Sequence, residues 1–296
     1  MSGPGIGFKR MVVGLPQGPV NQAAVDASAN LAEFLNIELL ATFVADSTLP
    51  ALAGLSGARE FRALEQGWQA IDRAQITRDI DLAISIARRR FTESVRSRTI
   101  KTSFDVLTRA EAIASLIRVD DIVAVIEPAH PGEMITRQFT GLLEAAFEMA
   151  GAVLVVPARI ARTIGPIVTV AADLDGPGIR AALEIAAALK ERLIIVTAAD
   201  TRPPIKVLAD AEQLGVQVEH IAGSGPSADA SSLAASAPLR ERLRVLTRSS
   251  VLTDDAARLF SSLQGIPLLV IEPSRAGAAG KERETEKDHQ AGRSGG

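Results

Sequence analysis

The feature that most restricts the fold is an alternation of short apolar runs with amphipathic stretches, and the alternation occurs twice. MVVGL at residues 11–15 is followed, after Gly18-Pro19, by Val20, Ala24, Ala27, Leu31 and Phe34 at helical spacing. IELLATFV at 37–44 is the next strand-like run, and a charge-rich helical region is expected over about 58–98. IKTSFDVL at 100–107, a helix over about 110–117, and DIVAVI at 121–126 come next. Leu143, Ala146, Phe147 and Ala150 then mark a helix, and AVLVV at 152–156 ends the set before Pro157. Five apolar strands joined by helical crossovers predict an α/β fold with a mostly parallel, twisted sheet covered on both faces.

The order then restarts. PIVTVAAD at 166–173 is strand-like, Gly176-Pro177 opens a helix bearing Ile179, Leu183, Ala186 and Leu189, and LIIVTAAD at 193–200 follows. Ala256, Leu259, Phe260 and Leu263 at helical spacing precede Gly265 and IPLLVI, which begins at Ile266 and ends at Ile271. Two copies of one α/β unit are therefore expected rather than one large sheet: a first domain over 8–160 and a shorter, divergent second over 161–274. Residues 1–7 and 275–296 are glycine-rich or charged with almost nothing apolar to bury, and are expected to be disordered. AVLVV (Ala152–Val156) and IPLLVI are the expected edges for intrachain pairing, since an uncovered apolar edge strand invites aggregation.

Composition narrows the function. The chain has no cysteine, which excludes disulfides and thiol chemistry and fits a reducing cytoplasm. A net charge of −3, 3% aromatics and no tyrosine argue against nucleic-acid or membrane partners. No apolar run approaches the roughly 18 to 20 residues of a membrane span, and no signal-peptide pattern opens the chain.

The stretch FKRMVVGLPQGPVNQAAVDASANLAEFLNIELLATFVAD, the DDIVAVIEP strand and TGLLEAAFEMAGAVLVVPA resemble a universal stress protein domain. Residues 166–273 resemble a shorter, divergent second one. The resemblance implies five-stranded parallel sheets in 3-2-1-4-5 order, packed as a pseudo-dimer through their last strands. It also implies an ATP site built from an aspartate after the first strand and a loop of pattern G-x2-G-x9-G-[S/T] after the fourth. Carried over by position, Pro16 stands for the aspartate, Pro128 and Pro131 for the first two glycines, Gly141 for the third, and Leu142 for the hydroxyl residue. The nine residues 132–140 preserve the spacing while four of the five identities are lost.

Those replacements change the chemistry. Glycine lets the backbone turn its N–H groups inward toward phosphate, whereas proline fixes φ and has no N–H. Hydrogen bonds to a charged group contribute about 1.5 to 3 kcal/mol each, so two lost donors weaken binding by roughly two to four orders of magnitude. Glu127 is expected to add a carboxylate beside the triphosphate position. Gly132, Arg137, His130 and the helix after Thr140 are the features that still favour an anion, although Thr140 reads most simply as an N-cap. In the second unit Asp173 stands near the end of the first strand, but Thr253, Asp254 and Asp255 put acidic residues where a phosphate would lie.

No catalytic or metal-binding set is evident. His130, His220 and His289 fall in a loop, a predicted strand and the tail, and GSGPS at 223–227 lacks the spacing of a nucleotide fingerprint. The favoured expectation is a non-enzymatic tandem universal stress protein working through protein contacts, with no cofactor and an unknown protein partner. The alternative is an adenine-nucleotide-binding regulator or weak ATP hydrolase with a rearranged loop, and a flavoprotein-like α/β module is a third.

Overall fold

The computed structural model describes residues 7–15, 20–45, 48–62, 66–107, 112–128, 132, 134, 137–170, 176–198, 201–222, 240–248 and 264–272. The first half runs β1 (Arg10–Leu15), α1 (Gln22–Phe34), β2 (Glu38–Val44), α2 (Thr48–Ala53), β3 (Arg59–Arg62), β4 (Gly67–Ala70) and α3 (Arg73–Val95). It continues through β5 (Thr102–Leu107), α4 (Ala112–Leu116), β6 (Asp121–Ile126), α5 (Arg137–Met149) and β7 (Ala152–Val156). The second half holds β8 (Ile167–Val170), α6 (Pro177–Leu189), β9 (Leu193–Thr197), α7 (Ile205–Leu214), β10 (Val218–Ala222), β11 (Leu243–Thr247) and β12 (Leu268–Ile271).

Ten of these strands form one sheet in the order β10-β9-β8-β11-β12-β7-β6-β1-β2-β5. Every neighbouring pair in it is parallel except β12 with β7, which run antiparallel with Leu268 opposite Val155 and Ile271 opposite Ala152. The expected α/β pattern is present in both halves, and the ladder continues across the boundary through β7 and β12, so the ten strands lie in one sheet. The reason is visible in the two strands: all the residues of both are buried, and unpaired edges of that character would expose apolar side chains and backbone polar groups together.

The two faces of the sheet carry separate cores, and each core spans both halves. Met11, Val13, Leu39 and Phe43 share one face with Ile179, Ala182 and Leu183 of α6. Val12, Val123 and Leu142 share the other with Val168, Ile194 and Val270. The strand positions alternate between the faces at the two-residue period of a pleated strand.

Helix ends follow local chemistry. Asn21 caps α1 by accepting from the Ala24 N–H, and Asp72 caps α3 by accepting from Ala74 and Gln75. The structure differs from the sequence reading over 58–98, where a charge-rich helical region was expected throughout. Here β3 and β4 form an antiparallel ribbon, with Phe61 opposite Trp68, before α3 begins at Arg73. A helix would need those aromatics to follow a 3.6-residue face, whereas Gly67 and the Asp72 cap break the pattern before the true helix starts.

At the amino ends of β1 and β6, Arg10 meets the fully buried Asp121 in a two-pronged ion pair, Nε to Oδ1 at 3.0 Å and Nη2 to Oδ2 at 2.6 Å. The same guanidinium donates to the Leu116 carbonyl that ends α4 (2.8 Å), and Asp121 also accepts from the Arg118 N–H. The hydrogen bond to Asp121 raises the Arg10 pKa above its ordinary value, against burial, which lowers it. By contrast, the buried hydroxyls of Thr42 and Thr169 have no hydrogen-bond partner among the described residues.

Asp121→Ala leaves the Arg10 charge buried and unpaired, and is expected to destabilise the fold by about 3–5 kcal/mol in urea unfolding. Thr42→Val removes an unsatisfied hydroxyl at almost constant volume and is expected to stabilise by about 1 kcal/mol; a loss of stability would show that the hydroxyl is satisfied.

Candidate functional site

Ligands of open parallel sheets lie beyond the carboxyl ends of the strands, so the rim above β1, β6 and β7 is the place to look. Three chain segments are tied together there. The Glu127 N–H donates to the Val156 carbonyl at 2.8 Å, and the Glu127 carboxylate accepts from the Ala158 N–H at 2.6 Å. Asn21, the cap of α1, donates to the Ala158 carbonyl at 2.7 Å. The Glu127 carboxylate is engaged with the backbone that leaves β7.

The loop residues take distinct places. Pro128 is buried directly after Glu127, so the position of the first glycine carries a ring and no N–H. Gly132 is exposed, with no described residue within 4 Å of where a Cβ would stand. Arg137 is the first residue of α5, and Thr140 lies inside that helix rather than at its N-cap, because the helix starts four residues earlier than expected. Gly141 is helical as well, and the space where its Cβ would point is open. Pro16, His130, Pro131 and Asp173 lie outside the described residues, as do Thr253, Asp254, Asp255 and the helix expected before Gly265.

The tightest contact at the rim was not anticipated from sequence. A Cβ on Gly14 of β1 would stand 2.4 Å from Leu142 Cδ2, so Leu142 of α5 lies directly on the Gly14 backbone. Leu142 occupies the hydroxyl position of the resembled motif, and it is buried with Phe139, Leu143 and Ala146. An apolar side chain thus fills the carboxyl end of β1, and only glycine beneath it allows so close an approach. A glycine inside a strand with a leucine on the facing helix was the available signal.

The rim of the second half is built differently. His220 of β10 lies 2.8 Å by its Nε2 from the buried Thr197 hydroxyl, which itself donates to the Thr201 carbonyl at 2.8 Å. Where the halves meet, Arg248 donates to the Phe147 carbonyl at the end of α5, its guanidinium is 5.1 Å above the Phe147 ring, and Glu272 lies 3.7 Å away. On the other face, Arg242 sits 5.7 Å above the Phe34 ring. Burial lowers the Arg242 pKa, and Glu191 partly offsets the fall.

The contact between Gly14 and Leu142 makes a sharp prediction for stability. Gly14→Ala is expected to cost about 1–3 kcal/mol by overpacking, and Leu142→Ala about 2–5 kcal/mol by leaving a cavity. The double variant should lose at least about 1 kcal/mol less than the sum, as read by urea unfolding. Strict additivity would mean that the two residues do not touch.

Among the described residues, no group of three or more His, Cys, Asp or Glu is placed to hold a metal, and no helix is long and apolar enough to cross a membrane. No family model matches the chain, and no curated protein matches it. Solved structures do. A universal stress protein from Archaeoglobus fulgidus DSM 4304 superposes with a TM-score of 0.59 at 11% identity, over 92% of this chain and 98% of that one. A Pseudomonas aeruginosa UCBPP-PA14 protein carrying the same family name gives 0.47 at 15% identity, covering 93% of this chain and 98% of its own. A functionally unknown protein from Pseudomonas aeruginosa PAO1 gives 0.46 at 15% identity, covering 95% and 98%. The first of these likenesses extends over nearly the whole length of both molecules. The chain has the universal stress protein fold.

Proposed function

We propose that this chain is a non-enzymatic tandem universal stress protein that acts in stress adaptation through protein contacts and has lost ATP binding. In this reading residues 8–160 and 161–274 are two domains of one kind, joined as a pseudo-dimer along β7 and β12. The observation that carries it is the seating of Leu142 on Gly14, which puts an apolar side chain where the resembled motif uses a hydroxyl. Pro128 adds to it by removing a donor from the same rim. Glu127 supports it too, because a carboxylate held at the rim by Ala158 repels a triphosphate.

A second reading has one observation in its favour. The open space above Gly132 and Gly141 leaves room for an anion to approach the backbone, as an adenine-nucleotide regulator or weak hydrolase with a rearranged loop would require. Titration calorimetry of the full chain with Mg-ATP separates the two. The favoured reading expects no saturation below about millimolar ATP, since two lost donors weaken a micromolar site by roughly two to four orders of magnitude. Saturation at micromolar ATP, or adenine nucleotide retained through purification and seen by native mass spectrometry, would contradict it.

A further inference from the structure

Arg242, immediately before β11, is a cation without an acceptor. Its side chain is 20% exposed, and the nearest carboxylate, that of Glu191, stands 3.7 Å away, beyond hydrogen-bond reach. The same Glu191 oxygen already accepts from the Gly165 N–H at 3.1 Å. The guanidinium also lies 5.7 Å above the Phe34 ring, which accepts no N–H at that distance. Among the described residues, nothing takes a hydrogen bond from it. A guanidinium carries five N–H donors, and a partly buried one with none of them matched is open to an acceptor from outside.

The backbone brings further cations to the same place. The strap between β7 and β8 is fixed at two points: the Ala161 N–H donates to the Gly265 carbonyl at 2.7 Å, and a Cβ on Gly165 would stand 2.5 Å from the Arg240 carbonyl. Gly165 has a φ of 141°, so glycine is what lets the strap seat there. The Arg242 N–H then donates to the Pro166 carbonyl at 3.0 Å. Arg162 of the strap, Lys190 at the end of α6, and Arg240 are exposed, and none has an ion-pair partner among the described residues. The neighbouring carboxylates are engaged elsewhere, Glu219 with Arg192 at 3.1 Å and Glu241 with Arg244. Ile164, 75% exposed, is held out by the fixed Gly165, and Phe34 is 45% exposed under Arg242.

The chemistry of the occupant follows from this mixture. A guanidinium fork matches a carboxylate with two parallel hydrogen bonds, and the unmatched cations around it favour an acidic chain. Ile164 and Phe34 add apolar surface that an apolar side chain of the same chain can cover. A nucleic acid would use the cations and leave Ile164 in water, and this chain has no tyrosine to stack its bases.

We propose that Arg242 and the strap over 161–165 form a docking site for an acidic, leucine-bearing segment of a partner protein, one of whose carboxylates accepts the Arg242 fork. The proposal rests on the reading that the chain works through protein contacts and is independent of whether ATP binding is lost, so a peptide titration and the Mg-ATP titration fail separately.

The full chain is titrated into a fluorescein-labelled peptide of glutamate and leucine in equal parts, and into polyglutamate and oligothymidylate of the same length, with anisotropy as the readout. Saturable binding of the mixed peptide, weaker binding of polyglutamate and release at high salt are expected. Arg242→Lys keeps the charge and loses the fork, and should weaken the peptide about tenfold. Ile164→Ser should weaken it about fivefold, and Arg162→Gln about threefold, both with unchanged urea unfolding because these side chains are exposed. No saturable binding of the mixed peptide would overturn the proposal. So would affinity unchanged in Arg242→Lys and Ile164→Ser, or polyglutamate bound as well as the mixed peptide. Oligothymidylate bound more tightly than either peptide would overturn it in favour of a nucleic acid.

Discussion

The antiparallel ladder between β7 and β12 is the contact on which the rest of the molecule depends. It joins ten strands into one sheet, lets each face carry a single core across both halves, and covers two apolar edges that could not stand in water alone. It also has a geometric consequence. Within each half all sheet neighbours are parallel, so reversing direction at the join sends the carboxyl rims of the two halves to opposite edges of the sheet. No single site can draw on both rims, and each has to be understood from its own residues. Arg248 on Phe147 and Arg242 on Phe34 lock the join from the two faces.

At the first rim the residues that close the fold lie at the carboxyl ends of β1, β6 and β7. Asn21, Glu127 and Ala158 tie the segments leaving β6 and β7 to the start of α1. Leu142 packs onto Gly14 and makes the end of β1 part of a core. Among the described groups of the rim, the Glu127 carboxylate is engaged with backbone.

Much of the fold was legible because its signals are local and repeated. DIVAVI and AVLVV match β6 and β7 residue for residue, and Gly176-Pro177 marks the start of α6. The ribbon of β3 and β4 was not legible, since four-residue strands carry no period that outweighs the charge-rich helix beside them. At the site, the prolines announced the missing donors, but the leucine that fills the space could be found only from the packing of α5 on β1. Thr140 was misjudged for a similar reason: α5 begins at Arg137, and a threonine within a first turn looks like a cap until the start is known.

The central claim is that the carboxyl end of β1 is occupied by the protein itself. Amide resonances of Gly14, Gly132 and Gly141, followed by heteronuclear NMR during addition of Mg-ATP, report on that place directly. The account predicts that none of them moves in a saturable way up to millimolar nucleotide. A saturable shift of Gly14 together with Gly141 at micromolar ATP would contradict it, since it would require Leu142 to leave β1 and a nucleotide to take its place.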